Sequence, residues 1–271
     1  MPELPEVETV KETLKTKVLN KLIIDCNIYY NGIIENMSDS SFISKIKGEK
    51  INDITRRGKW LVFELTNYYL LSHLRMEGKY NIRVVGDNID KHEHVVFTFS
   101  DKTQLRYRDT RKFGKMHLIE KDKLFTVPPL SLIGLEPWDE KLTIYYLKTK
   151  LKGTAIKTQL LDQTIIAGIG NIYADEILFL CKINPTKKGN KLSDTELENI
   201  IKYTRIVLEN AIKDGGTTIR TYTSSEGVHG RFQQNLLVHN KKAHPCVNCG
   251  TLIDKMVVGG RGTFYCPKCQ K

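Results

Sequence analysis

Between residues 3 and 19, Val7, Val10, Leu14 and Val18 recur at helical spacing, while Glu8, Lys11, Glu12 and Lys15 occupy the other faces. That period predicts an amphipathic helix. Pro5 falls in its first turn, where a missing N–H does no harm. The pattern then changes to short runs rich in β-branched and aromatic residues: 21–30, 59–65, 69–73, 95–99 and 115–119. Asn31-Gly32, Gly86-Asp87 and Ser100-Asp101 supply turns between several of them. Strands so spaced predict a sandwich or barrel. Because helical signals lie only at the ends of this region, a β-sandwich flanked by helices is expected.

The stretch 125–139 holds Pro128, Pro129 and Pro137 and reads as an extended connection. Helical periodicity returns after it. Ser193-Asp194-Thr195-Glu196 is a capping box. It opens a run whose apolar face includes Leu197, Ile200, Ile201, Val207, Leu208, Ala211 and Ile212, and Gly215-Gly216 stops it. A shorter helix is predicted over 172–181, entered through Gly168-Ile169-Gly170-Asn171. Residues 215–231 are rich in Gly, Ser and Thr and predict a mobile loop. No internal repeat is present.

Composition changes the picture in two ways. The 271 residues are 40% hydrophobic and 27% charged, as in ordinary soluble globular proteins, with length enough for one large domain or two. No apolar run is long enough to span a bilayer, and Glu3, Glu6 and Glu8 stand where a secretion signal carries Lys or Arg, so an intracellular protein is expected. The net charge of +11 favours polyanionic partners through counterion release, although frequent lysine is also what an AT-rich genome produces. Six cysteines divide into isolated Cys26 and Cys181, read as buried small hydrophobes, and a C-terminal group of four.

That group has metal-site spacing. Cys246-x-x-Cys249 and Cys266-x-x-Cys269 form two knuckles that together supply four thiolates for a tetrahedral zinc ion. Four protein ligands leave no open position, so one structural Zn²⁺ is expected, and two disulfides are disfavoured in a reducing compartment. Val257-Val258 and Thr263-Phe264-Tyr265 predict a hairpin between the knuckles. Lys241, Lys242, Lys255, Arg261, Lys268 and Lys271 surround them against the single acid Asp254, a balance suited to phosphate.

The N-terminus carries candidate chemistry. Proline after an initiator methionine normally permits its removal, leaving Pro2 with a secondary amine. Such an amine is partly neutral near pH 7, and a helix N-terminus disfavours its protonated form. Its attack on a sugar C1′ gives a cationic iminium directly, an electron sink for elimination. Glu3 and Glu6 lie close enough in sequence to shuttle protons. Alone, the pattern is more simply that of an ordinary second-position proline and acids complementing a helix dipole.

Several segments together resemble bacterial formamidopyrimidine-DNA glycosylases over the whole chain. They are Met1-Pro2-Glu3-Leu4-Pro5-Glu6-Val7-Glu8-Thr9, Arg56-Arg57-Gly58-Lys59-Trp60, His73-Leu74-Arg75-Met76-Glu77-Gly78-Lys79, Lys91-His92-Glu93-His94-Val95, Asp109-Thr110-Arg111-Lys112-Phe113-Gly114, Gly168-Ile169-Gly170-Asn171-Ile172-Tyr173-Ala174 and the cysteine finger. The resemblance implies an α+β multidomain protein. Its parts would be an N-terminal β-sandwich catalytic domain over 1–131, a helix–two-turn–helix domain with a lesion-recognition loop over 132–231, and a zinc finger over 232–271. It implies a monomeric cytoplasmic base-excision repair enzyme on damaged double-stranded DNA, nucleoid-associated when bound and independent of membranes.

By the same resemblance Pro2 is the nucleophile and Glu3 the catalytic carboxylate, with Glu6 in support. Lys59, read as strand-borne, orients a phosphate near the reacting sugar. His73, His92, Lys157, Asn171 and Arg261 contact DNA. Met76, Arg111 and Phe113 fill the gap left by an everted nucleotide, offsetting part of the flipping cost. Thr217, Thr218, Arg220, Thr221 and Tyr222 lie in the loop that closes over the extruded base. Asn171 also fits independently, since a Gly-rich turn before a helix offers N–H groups to phosphate.

Departures from the family pattern are local. His239-Asn240 stands where a Tyr-Gly pair is expected, and Thr158 follows Lys157 where relatives often have proline. His92 and His94, spaced i, i+2 without a third ligand nearby, read as hydrogen-bonding histidines and not as a metal site. Two other readings remain: the sister family acting on oxidised pyrimidines, which shares the proline nucleophile, and a non-catalytic zinc-dependent DNA-binding protein. Leu4 and Val7-Glu8-Thr9 favour the purine branch.

Overall fold

Helix α1 (Leu4–Val18) forms where the apolar period placed it and buries Val7, Val10, Leu14 and Val18. The computed structural model describes residues 1–217 and 231–271. Among these the chain divides into two compact units, Met1–Ser131 with Thr217, and Leu132–Gly216 with Arg231–Lys271.

The first unit is the expected β-sandwich. Strands β1 (Ile23–Ile28), β2 (Asp53–Arg57), β3 (Trp60–Glu64), β4 (Tyr68–His73), β5 (Lys79–Val84), β6 (Glu93–Phe99), β7 (Thr103–Arg108) and β8 (Lys115–Glu120) make two four-stranded sheets. One runs β1-β6-β7-β5 and the other β2-β3-β4-β8, each antiparallel throughout. Their inner faces bury Phe97, Phe99, Leu105 and Tyr80 from one sheet with Ile54, Leu61, Phe63 and Leu118 from the other. Helix α1 and a short α2 (Asp39–Ile46), capped by Ser38 accepting from the Ser41 N–H at 3.3 Å, close the core. Each such fully buried side chain contributes about 1.5–3 kcal/mol.

Three strands and α2 exceed the pattern-based expectation. β2, β5 and β7 carry Arg56, Arg57, Arg83, Arg106 and Arg108 among few apolar residues, which hides their alternation. Arg106 is 1% exposed, yet it sits on β7 because Glu93, Gln104 and the carbonyls of Asp87 and Asn88 accept all its donors. A satisfied buried guanidinium breaks the hydrophobic code without breaking the sheet.

The second unit is helical. α3 (Ile144–Lys150) and α4 (Ile156–Leu160) precede α5 (Asn171–Leu180) and the long α6 (Asp194–Lys213). Ser193 and Glu196 close the predicted capping box, at 3.2 Å and 2.9 Å. Gly215 and Gly216 end α6 with positive φ, donating to Ile212 and Ala211 in a Schellman arrangement. The hairpin β9 (Asp254–Val258) and β10 (Arg261–Tyr265) turns through Gly259-Gly260, both left-handed.

Candidate active site

The N-terminal end of α1 gathers buried polar groups. Pro2, Glu3 and Glu6 are buried there, although Met1 is partly exposed. Glu6 is anchored on both oxygens. One accepts the Glu3 N–H at 2.8 Å, and the other accepts the Thr217 N–H at 2.8 Å and hydroxyl at 3.0 Å. This carboxylate therefore fixes the start of the helix beside Thr217.

Lys59 lies in the same unit, 5% exposed, and is not strand-borne as its apolar neighbours suggested. It occupies the second position of the two-residue turn joining β2 and β3, where Arg57 pairs with Trp60. Gly58, with φ +57°, makes that turn possible. Arg56 straps it to α1, donating to the Gly58 carbonyl at 3.0 Å and to Glu8 at 2.8 Å. Sequence reasoning missed this Glu8–Arg56 pair, since helix and strand are brought together only by the fold.

The terminal amine, that of Met1 in the full chain, feels Glu3, Glu6, Lys59 and Glu77. Burial lowers its pKa from the ordinary 8.0 and Lys59 acts in the same sense, while Glu3 and Glu6 oppose them. Next along, His73 ends β4 against the edge of Trp60, with ring centroids 4.8 Å apart. Burial, Arg75 and Lys59 bring its pKa down to about 3, so the ring is neutral. Its Nδ1 accepts the Arg75 N–H at 3.0 Å, which leaves the proton on Nε2, a donor suited to an anionic oxygen.

Two turns of this unit carry the proposed wedge residues. Arg111 and Phe113 are exposed, Phe113 by 48%, so they are not core side chains, and the guanidinium stacks 4.8 Å from the ring centroid. Met76 is half-buried. His92 is half-buried on the approach to β6, its N–H donating to Asp90 at 2.8 Å, and His94 Nε2 pairs with the Asp109 carbonyl at 2.7 Å.

In the second unit, Lys157, Asn171 and the finger hairpin meet. Asn171, first residue of α5, donates from Nδ2 to the Gly262 carbonyl at 3.0 Å. Arg261, at the start of β10, is exposed. Lys157 is the charged group of this contact. It is wholly buried, with Nζ 2.6 Å from Asp175, 2.8 Å from the Thr263 hydroxyl and 3.2 Å from the Gly262 carbonyl. Its ammonium ties the hairpin to α5.

Asp175 also accepts from His239 Nδ1 at 2.7 Å, and the His239 ring meets Phe264 edge-on at 5.1 Å. The unexpected histidine is thus a buried partner of the same carboxylate. Thr158, the other departure, packs at the Gly259 turn, where an added Cβ would come within 2.6 Å of its hydroxyl. Glu176 completes the dock by accepting the N–H groups of Leu237, Val238 and His239.

The four thiols of Cys246, Cys249, Cys266 and Cys269 converge within 4.8 Å of one another. Two of the pairs stand 3.5 and 3.9 Å apart. Tetrahedral zinc with Zn–S bonds of about 2.3 Å requires sulfur separations of about 3.8 Å. The donor set fits such an ion, and all four cysteines are free of disulfides. No helix among the described residues is long and apolar enough to cross a membrane. Thr218, Arg220, Thr221 and Tyr222 lie outside the described residues.

Family models match the chain in three consecutive segments. These are the formamidopyrimidine-DNA glycosylase N-terminal domain over residues 1–116, the H2TH domain of the same enzymes over 133–223, and the zinc finger found in FPG and IleRS over 243–271. The chain belongs to the formamidopyrimidine-DNA glycosylase family. The family's members from Bacillus cereus and Bacillus subtilis are each 49% identical to it, across all of this chain and 99% of theirs. Among solved structures of the family, Lactococcus lactis Fpg in complex with abasic-site DNA superposes with a TM-score of 0.91 at 39% identity, covering 99% of both chains. A mutant of that enzyme bound to Fapy-dG-containing DNA gives 0.92 at 39%, covering both chains fully. The α+β architecture and four-cysteine finger expected of the family are present.

Proposed function

We propose that this chain is a bifunctional DNA glycosylase and abasic-site lyase that removes oxidised purines, 8-oxoguanine and formamidopyrimidines, from duplex DNA. The observation that carries the reading is the burial of Pro2, Glu3, Glu6 and Lys59 in one unit, where the terminal amine beside Pro2 feels all three charged side chains and its pKa is lowered by burial. Relatives at 49% identity named formamidopyrimidine-DNA glycosylases, and the Lactococcus complexes with Fapy-dG and abasic-site DNA, support the substrate class.

In this mechanism Met1 is removed and the neutral Pro2 nitrogen attacks C1′. The N–C1′ bond forms as the bond from C1′ to the base breaks, and the base leaves with a proton. Glu3 relays a proton to the ring oxygen, and opening of the sugar gives a cationic iminium. Loss of a C2′ proton expels the 3′ phosphate, and a second elimination expels the 5′ phosphate. Water then hydrolyses the iminium and restores the amine. Lys59 and His73 steady phosphate oxygens near the sugar, the first by charge and the second through Nε2–H. Asn171 and Arg261 hold the backbone further along. His92, half-buried, contributes there at most as a neighbouring donor.

One structural Zn²⁺ would be held by Cys246, Cys249, Cys266 and Cys269. It supplies folding energy to the hairpin that presents Arg261. The enzyme acts as a monomer on chromosomal DNA in the cytoplasm. Borohydride should trap a covalent adduct with 8-oxoguanine duplex, and Pro2→Gly should reduce it by on the order of 10²-fold or more. Undiminished trapping by a protein whose intact mass shows retained Met1 would overturn the assignment of the nucleophile.

A further inference from the structure

The wedge turns raise a question of support. Arg111 and Phe113 project into solvent, where no core packing fixes them, so their pose must come from the backbone beneath. That backbone converges on one group. Asp109, fully buried at the end of β7, accepts the Arg111 N–H on one oxygen at 2.9 Å. Its other oxygen accepts the N–H groups of Phe113 at 2.9 Å and Gly114 at 2.8 Å, and the Tyr107 hydroxyl at 3.4 Å. Lys112 at the crest adopts φ +57°, a conformation the surrounding bonds must hold in place.

The Tyr107 hydroxyl is the second fixed point. A Cβ added to Gly114 would lie 1.6 Å from it, and one added to Gly78 would lie 2.2 Å from it. Both turns therefore rest bare backbone on the same phenol, one just after Phe113 and the other two residues after Met76. The Thr110 hydroxyl, bonded to the Glu77 carboxylate, ties the turns together at their tips.

We propose that Tyr107 and Asp109 are positioning residues that lock the Met76 turn and the Arg111–Phe113 turn into one preformed wedge for the gap left by an extruded nucleotide. The inference rests on the wedge reading of Met76, Arg111 and Phe113. Preforming the turns removes the ordering entropy that inserting loose side chains would otherwise oppose to flipping. It concerns duplex substrates alone, because a single strand has no partner base and no gap to fill.

The test compares Asp109→Asn and Tyr107→Phe with the parent protein on two substrates. One is single-turnover excision from an 8-oxoguanine duplex. The other is borohydride trapping on a single-stranded abasic oligonucleotide, which needs the Pro2 chemistry without the wedge. Duplex excision should fall on the order of tenfold for Asp109→Asn and about threefold for Tyr107→Phe, with trapping kept within about twofold. Phe113→Ala should likewise lower duplex excision, by on the order of tenfold. Equal losses on both substrates would mean general damage, and undiminished duplex excision by both variants would mean no positioning role. Either result overturns the inference. If Phe113→Ala and Arg111→Ala leave duplex excision intact, the wedge reading itself fails and the inference with it. An inactive parent protein would instead strike at the proposed enzyme activity.

Discussion

At the scale of single residues, two titrating groups make the site's electrostatics measurable. Lys59 and burial both depress the terminal amine. With Pro2 as the terminus, the acid limb of a trapping pH profile should report that amine. Lys59→Met removes one depressing charge, so the limb should move to higher pH whatever happens to the maximal rate; a limb that stays put would separate Lys59 from the nucleophile. His73 makes the second case. Its folded pKa of about 3 lies below the ordinary 6.5, so the folded protein binds fewer protons than the unfolded chain in that interval. Its contribution is present above pH 6.5 and is lost as pH falls toward 3, at up to about 1.4 kcal/mol per pH unit. Denaturant midpoints measured from pH 7 to pH 4 should therefore fall less steeply in His73→Gln than in the parent. Both residues could be picked out from the chain as chemistry-bearing. Their environments could not, because Gly58, Arg56 and Glu8 build the Lys59 turn from segments far apart in sequence.

At the scale of elements, the buried Lys157–Asp175 pair distinguishes two roles for one lysine. As a phosphate contact, Lys157→Met would lower DNA affinity and flatten its salt dependence by about one counterion, leaving stability intact. As the anchor seen here, it would leave the buried Asp175 carboxylate with only His239 and the Phe264 N–H as partners, at a cost of up to about 3–5 kcal/mol. The second outcome is expected in urea unfolding, with the salt slope of binding by the residual folded protein little changed. A double variant, Lys157→Met with Asp175→Leu, should regain part of the loss, since it removes the stranded carboxylate. The helices α1, α5 and α6 were legible because their apolar periods and end signals agree. α3 and α4 were not, being helices of only seven and five residues, too short to carry a readable period. The roles of Lys157 and His239 stayed hidden for another reason: a motif position shows which residue is present, not whether its charge meets water or Asp175.

At the scale of the whole molecule, the basic balance of +11 and the cysteine spacing pointed toward a phosphate partner and a metal before any fold was known. The finger shows why those signals were readable. Four ligands in two knuckles lie close in sequence, whereas the Met76 and Arg111–Phe113 turns, and the Lys59 turn and α1, meet only through the fold. Its own apolar cluster is small, with Phe179, Val238, Ile253 and Phe264 packed among the cysteines. A cluster of that size adds little to the hairpin's stability, so a bound ion would couple metal binding to local folding. The hairpin in turn presents Gly262 to both Lys157 and Asn171. Removing the ion with a strong chelator should therefore expose all four finger thiols to a thiol reagent and leave Cys26 unreactive, since it is buried in the β-sandwich and burial pushes its thiol up to about 12. Binding to lesion duplex should weaken by on the order of tenfold or more as Arg261 and its basic neighbours lose their fixed arrangement. Readdition of zinc should restore both readouts together. Recovery of thiol protection without recovery of DNA binding would show that the finger folds but does not present a phosphate-facing surface, and the assignment of Arg261 would fall.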